Sequence, residues 1–183
     1  MSHLFKPLGL VMLMALTACA NPAHSPTVHD FGAGVNLAAA PNSSAKPHIS
    51  VSAPTWLWDN RIRYRLLYSA PTTVRFYGLD VWVAPPPELF EQFLLENLPP
   101  NSPPLSLHLM SLEQEFTSIQ QANIVLRFEL ELKTSTSQAT LSKIFSLRQP
   151  SPTPDAAGAI NAMLQVNQLA VAQITAWLAQ IRH

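Results

Sequence analysis

The sequence predicts an α+β fold: a mainly antiparallel sheet with two helices packed on one face, the longer helix lying at the C-terminus. Three observations carry that prediction. The stretch NIVLRFELELK sets Ile124, Leu126, Phe128, Leu130 and Leu132 against Arg127, Glu129, Glu131 and Lys133, the period of two of a half-buried strand. Two other segments, PELFEQFLLENL and the stretch after Asp155, repeat apolar residues every three to four positions, which is helical spacing. The order of strands, helix, three strands and long helix places helices on a sheet of neighbouring strands.

The elements follow in chain order. VHDFGAG, from Val28 to Gly34, predicts a short strand ended by glycines. HISVSAP sets Ile49 and Val51 on one face before Pro54 stops the strand, and TWLWDN follows as a turn. In RIRYRLLY, Ile62, Tyr64, Leu66 and Tyr68 share one face while Arg61, Arg63 and Arg65 share the other. Pro71 ends that strand. The next runs through Val74 and Phe76, bends at Gly78, and continues through Val81 and Val83.

Pro85 to Pro87 suit the entry of a helix, where a missing N–H costs nothing. Leu89, Phe90, Phe93, Leu94 and Leu98 form its inward stripe, and Pro99-Pro100 end it. In the strand that follows, Leu105, Leu107 and Leu109 share one parity, but Leu112 and Phe116 take the other, which predicts a bulge or bend near Met110 to Ser111. TLSKIFSL places Leu141, Phe145 and Leu147 inward, and the polar stretch from Lys133 to Gln138 makes a hairpin with the strand before it. Asp155 caps the last helix. Its predicted stripe runs Ile160, Met163, Leu164, Asn167, Val171, Ile174, Trp177 or Leu178, and Ile181.

The N-terminus is of a different kind. Lys6 precedes an apolar run from Leu8 to Leu16, too short to be retained as a membrane-spanning helix and of the form of a signal peptide. It ends Leu16-Thr17-Ala18-Cys19, which resembles a bacterial lipobox, and Cys19 is the single cysteine of the chain. Residues 1–18 therefore read as a lipoprotein signal peptide, 19–47 as the lipidated N-terminus with a mostly flexible tether rich in Pro, Ala, Asn and Ser, and 48–183 as one domain. Acyl chains on Cys19 anchor firmly, since each buried CH₂ contributes roughly 0.8 kcal/mol. Ala20 stands where an aspartate would retain a lipoprotein in the inner membrane, so in a two-membrane envelope the expected place is the periplasmic side of the outer membrane.

The chain has 11 basic and 11 acidic residues, which removes the electrostatic case for nucleic acid as a partner. No nucleophile elbow, Ser-x-x-Lys pair, His-Glu-x-x-His or glycine-rich phosphate loop occurs. The expectation is therefore no enzyme, no cofactor and no metal, with His24, His29 and His108 as ordinary solvated or structural histidines. Two features point to binding. Arg61, Arg63 and Arg65 form a row that either pairs with acids such as Glu129 and Glu131 on a neighbouring strand or docks an acidic partner or lipid headgroups. Trp56 and Trp58 flank Leu57 in a turn and cannot all enter one core; surface aromatics often anchor protein partners. The broad apolar surface of the last helix raises a homo-oligomer as a further possibility.

The lipobox, HDFG, ISVSAPTWLWDNRIRYRLLY, VRFYGLDVWVAPPPELFEQFLLENL and the helix after PDAAGAINAM together resemble the ABC-type transport auxiliary lipoprotein family, which includes the paraquat-inducible lipoproteins. The more specific elements are a YRL strand, here Tyr64, Arg65 and Leu66, and Trp82 followed by Pro85-Pro86 before a helix. Family members often have Arg-Trp where this chain has Val81-Trp82. The resemblance implies an accessory subunit that works with a periplasmic protein of the mammalian-cell-entry type and its ABC permease and ATPase to move lipids between the two membranes. Trp56, Trp58, Arg61, Arg63 and Arg65 are the expected contacts. Two other roles remain open, a lipoprotein that binds a hydrophobic ligand in a pocket between the sheet and the long helix, and a structural lipoprotein of outer-membrane assembly.

Overall fold

A computed structural model describes residues 25–32, 47–133 and 140–181. The described elements are β1 Thr27–His29, β2 Ile49–Ser52, β3 Arg61–Leu66, β4 Ala70–Trp82, α1 Pro86–Asn97, β5 Leu105–Phe116, β6 Ala122–Lys133, β7 Thr140–Pro150 and α2 Ala156–Gln180, with a 3-10 turn, Thr55–Leu57, between β2 and β3. The fold is α+β. The signal peptide, Cys19, His24, most of the tether and the turn at 134–139 lie outside the described residues.

Strands β5, β6 and β7 form one antiparallel ladder, with Leu107 opposite Leu130 and Phe128 opposite Phe145. The remainder of the sheet is mixed. β2 and β3 both run parallel to β5, the first beside its opening half (Ile49 with Leu105) and the second beside its closing half (Tyr64 with Gln114). β1 runs parallel to β4 at the far edge, and the order across the sheet is β1-β4-β3-β5-β6-β7, with β2 as a second neighbour of β5 on the β3 side. Alternation reports which face a side chain takes, not the direction of the neighbouring strand, so these parallel pairs left no mark on the sequence pattern.

The predicted bulge in β5 is present as a register shift between Leu109 and Ser111. β4 has a larger irregularity: Phe76 lies opposite Arg63 but Val81 lies opposite Arg61, so the stretch containing Gly78 leaves the ladder. Past it, the inward residue is Trp82, 2% exposed, while Val83 is 61% exposed; the slip reverses the parity that the Val81 and Val83 alternation suggests.

Both helices cover the same face. Phe90 of α1 meets Phe128 edge-on at 5.5 Å, Phe128 stacks on Phe145 at 4.8 Å, and Phe145 meets Trp177 of α2 at 6.1 Å. Full burial of one such ring contributes about 1.5–3 kcal/mol. Helix α1 buries Leu89, Phe90, Phe93 and Leu94, as its spacing predicts. Helix α2 does not bury the predicted stripe as a whole: its core line runs through Ala159, Ala162, Met163, Val166, Asn167, Ala170, Ile174, Trp177 and Leu178, and Ile160, Leu164 and Val171 are half-buried. Small residues let the helix lie close to the sheet, and the larger side chains then pack at its flanks. On β7, Phe145 and Leu147 are buried but Leu141, near the strand's start, is exposed.

The start of α2 is fixed tightly. The Asp155 carboxylate accepts from the Gly158 amide at 2.8 Å and from the Thr153 hydroxyl at 2.7 Å. These bonds hold the Asp155 carboxyl below the usual carboxylate range. A Cβ at Gly158 would lie 2.0 Å from the Thr153 carbonyl oxygen, so this glycine is required by close approach.

Candidate functional site

The face of the sheet opposite the helices carries the sequence-predicted contacts. Arg61, Arg63 and Arg65 alternate along β3 and all project to this side, but they do not form a solvated row. Arg61 is exposed, Arg65 is half-buried and Arg63 is 8% exposed. The 3-10 turn makes the difference. Leu57 is fully buried in the core and pins the turn, which holds Trp56 and Trp58 outward at 47% and 42% exposed. The Trp56 carbonyl accepts a hydrogen bond from the Arg63 guanidinium, and the Trp58 ring N–H donates to the Ala53 carbonyl at 3.2 Å.

A continuous stack results. The Arg63 guanidinium lies 4.9 Å from the Trp56 ring centroid and 5.2 Å from that of Phe76, and Arg61 lies over the Phe76 ring at 3.7 Å. A cation over an aromatic face is attracted by the ring quadrupole. Trp56, Arg63, Phe76 and Arg61 therefore interleave as ring, cation, ring, cation. Phe76 was absent from the predicted site. It is the ladder partner of Arg63, a pairing that only the β3–β4 register reveals.

The acids differ from those expected. Asp59 pairs with Arg61 at 2.7 Å and reaches Arg63 at 3.5 Å; Glu113 takes Arg65 through two bonds of 3.2 Å; Glu115 takes Arg148 at 2.7 Å. Glu129 and Glu131 are not the partners of the arginine row: both lie on β6, on the far side of β5. Partial burial pushes the Asp59 carboxyl up, but the hydrogen bonds from Arg61 and the charges of Arg61 and Arg63 outweigh it and hold it below its ordinary value. Burial pushes Arg63 down, against the opposing pull of Asp59. Three guanidinium groups thus share two carboxylates, Asp59 and Glu113, and the face exposes ordered aromatic and guanidinium surface.

A second polar cluster went unrecognised in the sequence. Gln114, fully buried on the helix side of β5, accepts from the Tyr77 hydroxyl at 2.6 Å and donates to the Ser151 hydroxyl at 3.0 Å and the Asp155 carbonyl at 3.4 Å. Burial pushes the Tyr77 hydroxyl far up, so it stays protonated and donates. The cluster ties β4, β5 and the start of α2 together and is structural. His108 accompanies Ser52 at 3.0 Å on the open face, and His29 meets Asp80 at 2.9 Å at the β1–β4 edge.

At that edge, a cleft of about 440 Å³ lies between β1 and α2, lined by Val28, Phe31, Val83, Ile160 and Leu164 among others. Among the described residues no helix is long and apolar enough to cross a membrane.

No family model matches the sequence, and no curated protein matches it. Solved structures do. A crystal structure of a protein XCC0632 from Xanthomonas campestris, assigned to the family DUF330, aligns with a TM-score of 0.62 at 17% identity, over 88% of this chain and 91% of that one. A crystal structure of an uncharacterized protein aligns with a TM-score of 0.63 at 12% identity, over 84% of this chain and 99% of that one. At these identities the likeness extends to the fold, which this chain shares with both across most of its length.

Proposed function

We propose that the protein is an outer-membrane-anchored periplasmic lipoprotein that serves as the accessory subunit of an ABC-type lipid transport system, docking a periplasmic protein of the mammalian-cell-entry type through the open face of its sheet. The observation that carries this reading is the Trp56–Arg63–Phe76–Arg61 stack on a face that none of the described helices covers. Trp and Arg are the residues that most often dominate protein interfaces, and here each arginine is already held in place by Asp59, Glu113 or the Trp56 carbonyl, so little side-chain freedom is lost on docking. Cys19 supplies the anchor, and with no catalytic constellation in the sequence the role is one of binding rather than chemistry.

The test is a gentle affinity purification of the full-length, acylated protein from membranes, with mass spectrometry of co-purifying proteins and lipids. A mammalian-cell-entry-type protein that is lost with Trp56→Ala supports the reading. Stoichiometric lipid without such a protein overturns it in favour of a ligand-binding lipoprotein, for which the cleft beside β1 is the natural seat.

A further inference from the structure

β1 and the two residues after Asp30 are joined to the rest of the domain in an unusual way. β1 is three residues long, lies at the edge of the described sheet and, among the described strands, pairs with β4 alone, through Thr27 with Asp80, Val28 with Val81 and His29 with Trp82. One large side chain secures it: Phe31, 4% exposed, meets Trp82 edge-on at 5.0 Å. The other fastenings are the half-buried His29–Asp80 contact at 2.9 Å and the Val83 amide donating to the His29 carbonyl at 2.8 Å. Gly32 turns the chain with φ +73°, its amide donating to the Asp30 carboxylate at 2.8 Å.

Packing around this segment is incomplete on both sides. A cleft of about 440 Å³ opens beside it, lined also by Ile160 and Leu164 of α2, and a second of about 180 Å³ is lined by Phe31 and Gly32 together with Gln92 and Glu96 of α1. Val28 remains 58% exposed. The ordering of a six-residue segment opposes what one buried ring and three ladder pairs return. The β5–β6 ladder, by contrast, has eleven registered pairs in the middle of the sheet.

We infer that residues 27–32 form a detachable strap, held to the domain by Phe31 and the short β1–β4 ladder, whose release lengthens the tether between the anchored cysteine and the domain. The inference rests on the lipoprotein reading of Cys19. With the strap docked, the domain hangs from the stretch between Cys19 and Thr27, whose fully extended span is at most about 29 Å. With it released, the span from Cys19 to Ile49 becomes available, at most roughly 110 Å. The strap thereby sets two stand-off ranges from the bilayer, a short one and a longer one.

Two measurements test this. Hydrogen exchange on the full-length chain in detergent reads the strap independently of the anchor: amides of residues 28–31 and Val83 should exchange at least about 100-fold faster than those of β5 and β6, and Phe31→Ala should add about tenfold at those positions alone. Equal protection in β1 and β5, or a Phe31→Ala effect spread over the whole sheet, overturns the strap. The second is neutron reflectometry of the acylated protein on a supported phosphatidylethanolamine and phosphatidylglycerol bilayer. The protein layer should extend further from the lipid with Phe31→Ala and contract with a Val28→Cys, Val81→Cys disulfide lock. Identical layers for the two variants contradict the strap, whereas failure of any layer to form contradicts the lipoprotein reading and leaves the exchange result to decide on the strap.

Discussion

Phe128 and Phe76 are both strand residues of one sheet, on opposite faces. Phe128 is fully buried, edge-on to Phe90 and stacked on Phe145. Phe76 is half-buried and flanked by the guanidinium groups of Arg61 and Arg63. The first ring is held by dispersion and exclusion of water, the second by charge over a quadrupole in contact with solvent. One face therefore provides the stability of the domain, and the other is free to be used. The difference predicts that substitutions will separate into two groups, those that cost stability and those that cost binding.

The sharpest way to break that separation is a pair of truncations. Phe128→Ala is expected to cost about 3–5 kcal/mol in urea unfolding, the range for an aromatic removed from a packed core. Trp56→Ala is expected to cost under about 1 kcal/mol, the range for surface changes, while abolishing partner recovery. A Trp56 variant as unstable as the Phe128 variant would make the open face part of the core.

Next in size is the polar cluster. Gln114→Leu leaves the Tyr77 and Ser151 hydroxyls without their partner and should cost about 1–3 kcal/mol, with Tyr77→Phe in the same chain recovering part of it. The covered face also holds a weakness. Asn167 is fully buried in α2, and among the described residues neither its Oδ1 nor its Nδ2 has a hydrogen-bond partner. Asn167→Leu is expected to raise stability by about 1 kcal/mol or more, measured as a higher urea midpoint at unchanged slope; a loss of stability would show that the amide is satisfied in solution.

The smallest expected effect is a pH dependence. Asp59 and Asp155 have folded-state values below their ordinary ones, so the stability they contribute is complete above about pH 4, the unfolded carboxylate value, and is lost as the pH falls through the folded values. Asp155→Asn should flatten the acid limb of a stability-against-pH curve and leave the neutral plateau nearly level; an unchanged acid limb would remove Asp155 from this account.

Much of the covered face was legible in the sequence, because a helix or strand with one buried side repeats at a fixed period. The β6 alternation, the β5 bulge and the α1 stripe follow directly from residue spacing. The open face was legible only in part. Spacing put Arg61, Arg63 and Arg65 on one side, but Arg63 is buried because the 3-10 turn folds Trp56 across it, and a turn has no period to betray it. Phe76 joined the site through the β3–β4 register, which shifts between Arg61 and Arg63. The pairing acids Asp59 and Glu113 come from the turn and from a parallel neighbour, neither of which alternation identifies. In α2 the predicted stripe followed side-chain size, whereas the sheet selected the alanines that allow close approach.

Docking of a periplasmic partner on the open face is open to photocrosslinking in cells. A photoreactive residue placed at Trp56 is compared with one at Leu169, an exposed site on α2. Docking through the open face should give crosslinks from position 56 to a mammalian-cell-entry-type protein, abolished by Arg61→Glu, and none from position 169. Crosslinks to that protein from position 169 with none from position 56 would contradict it and assign docking to the helical side.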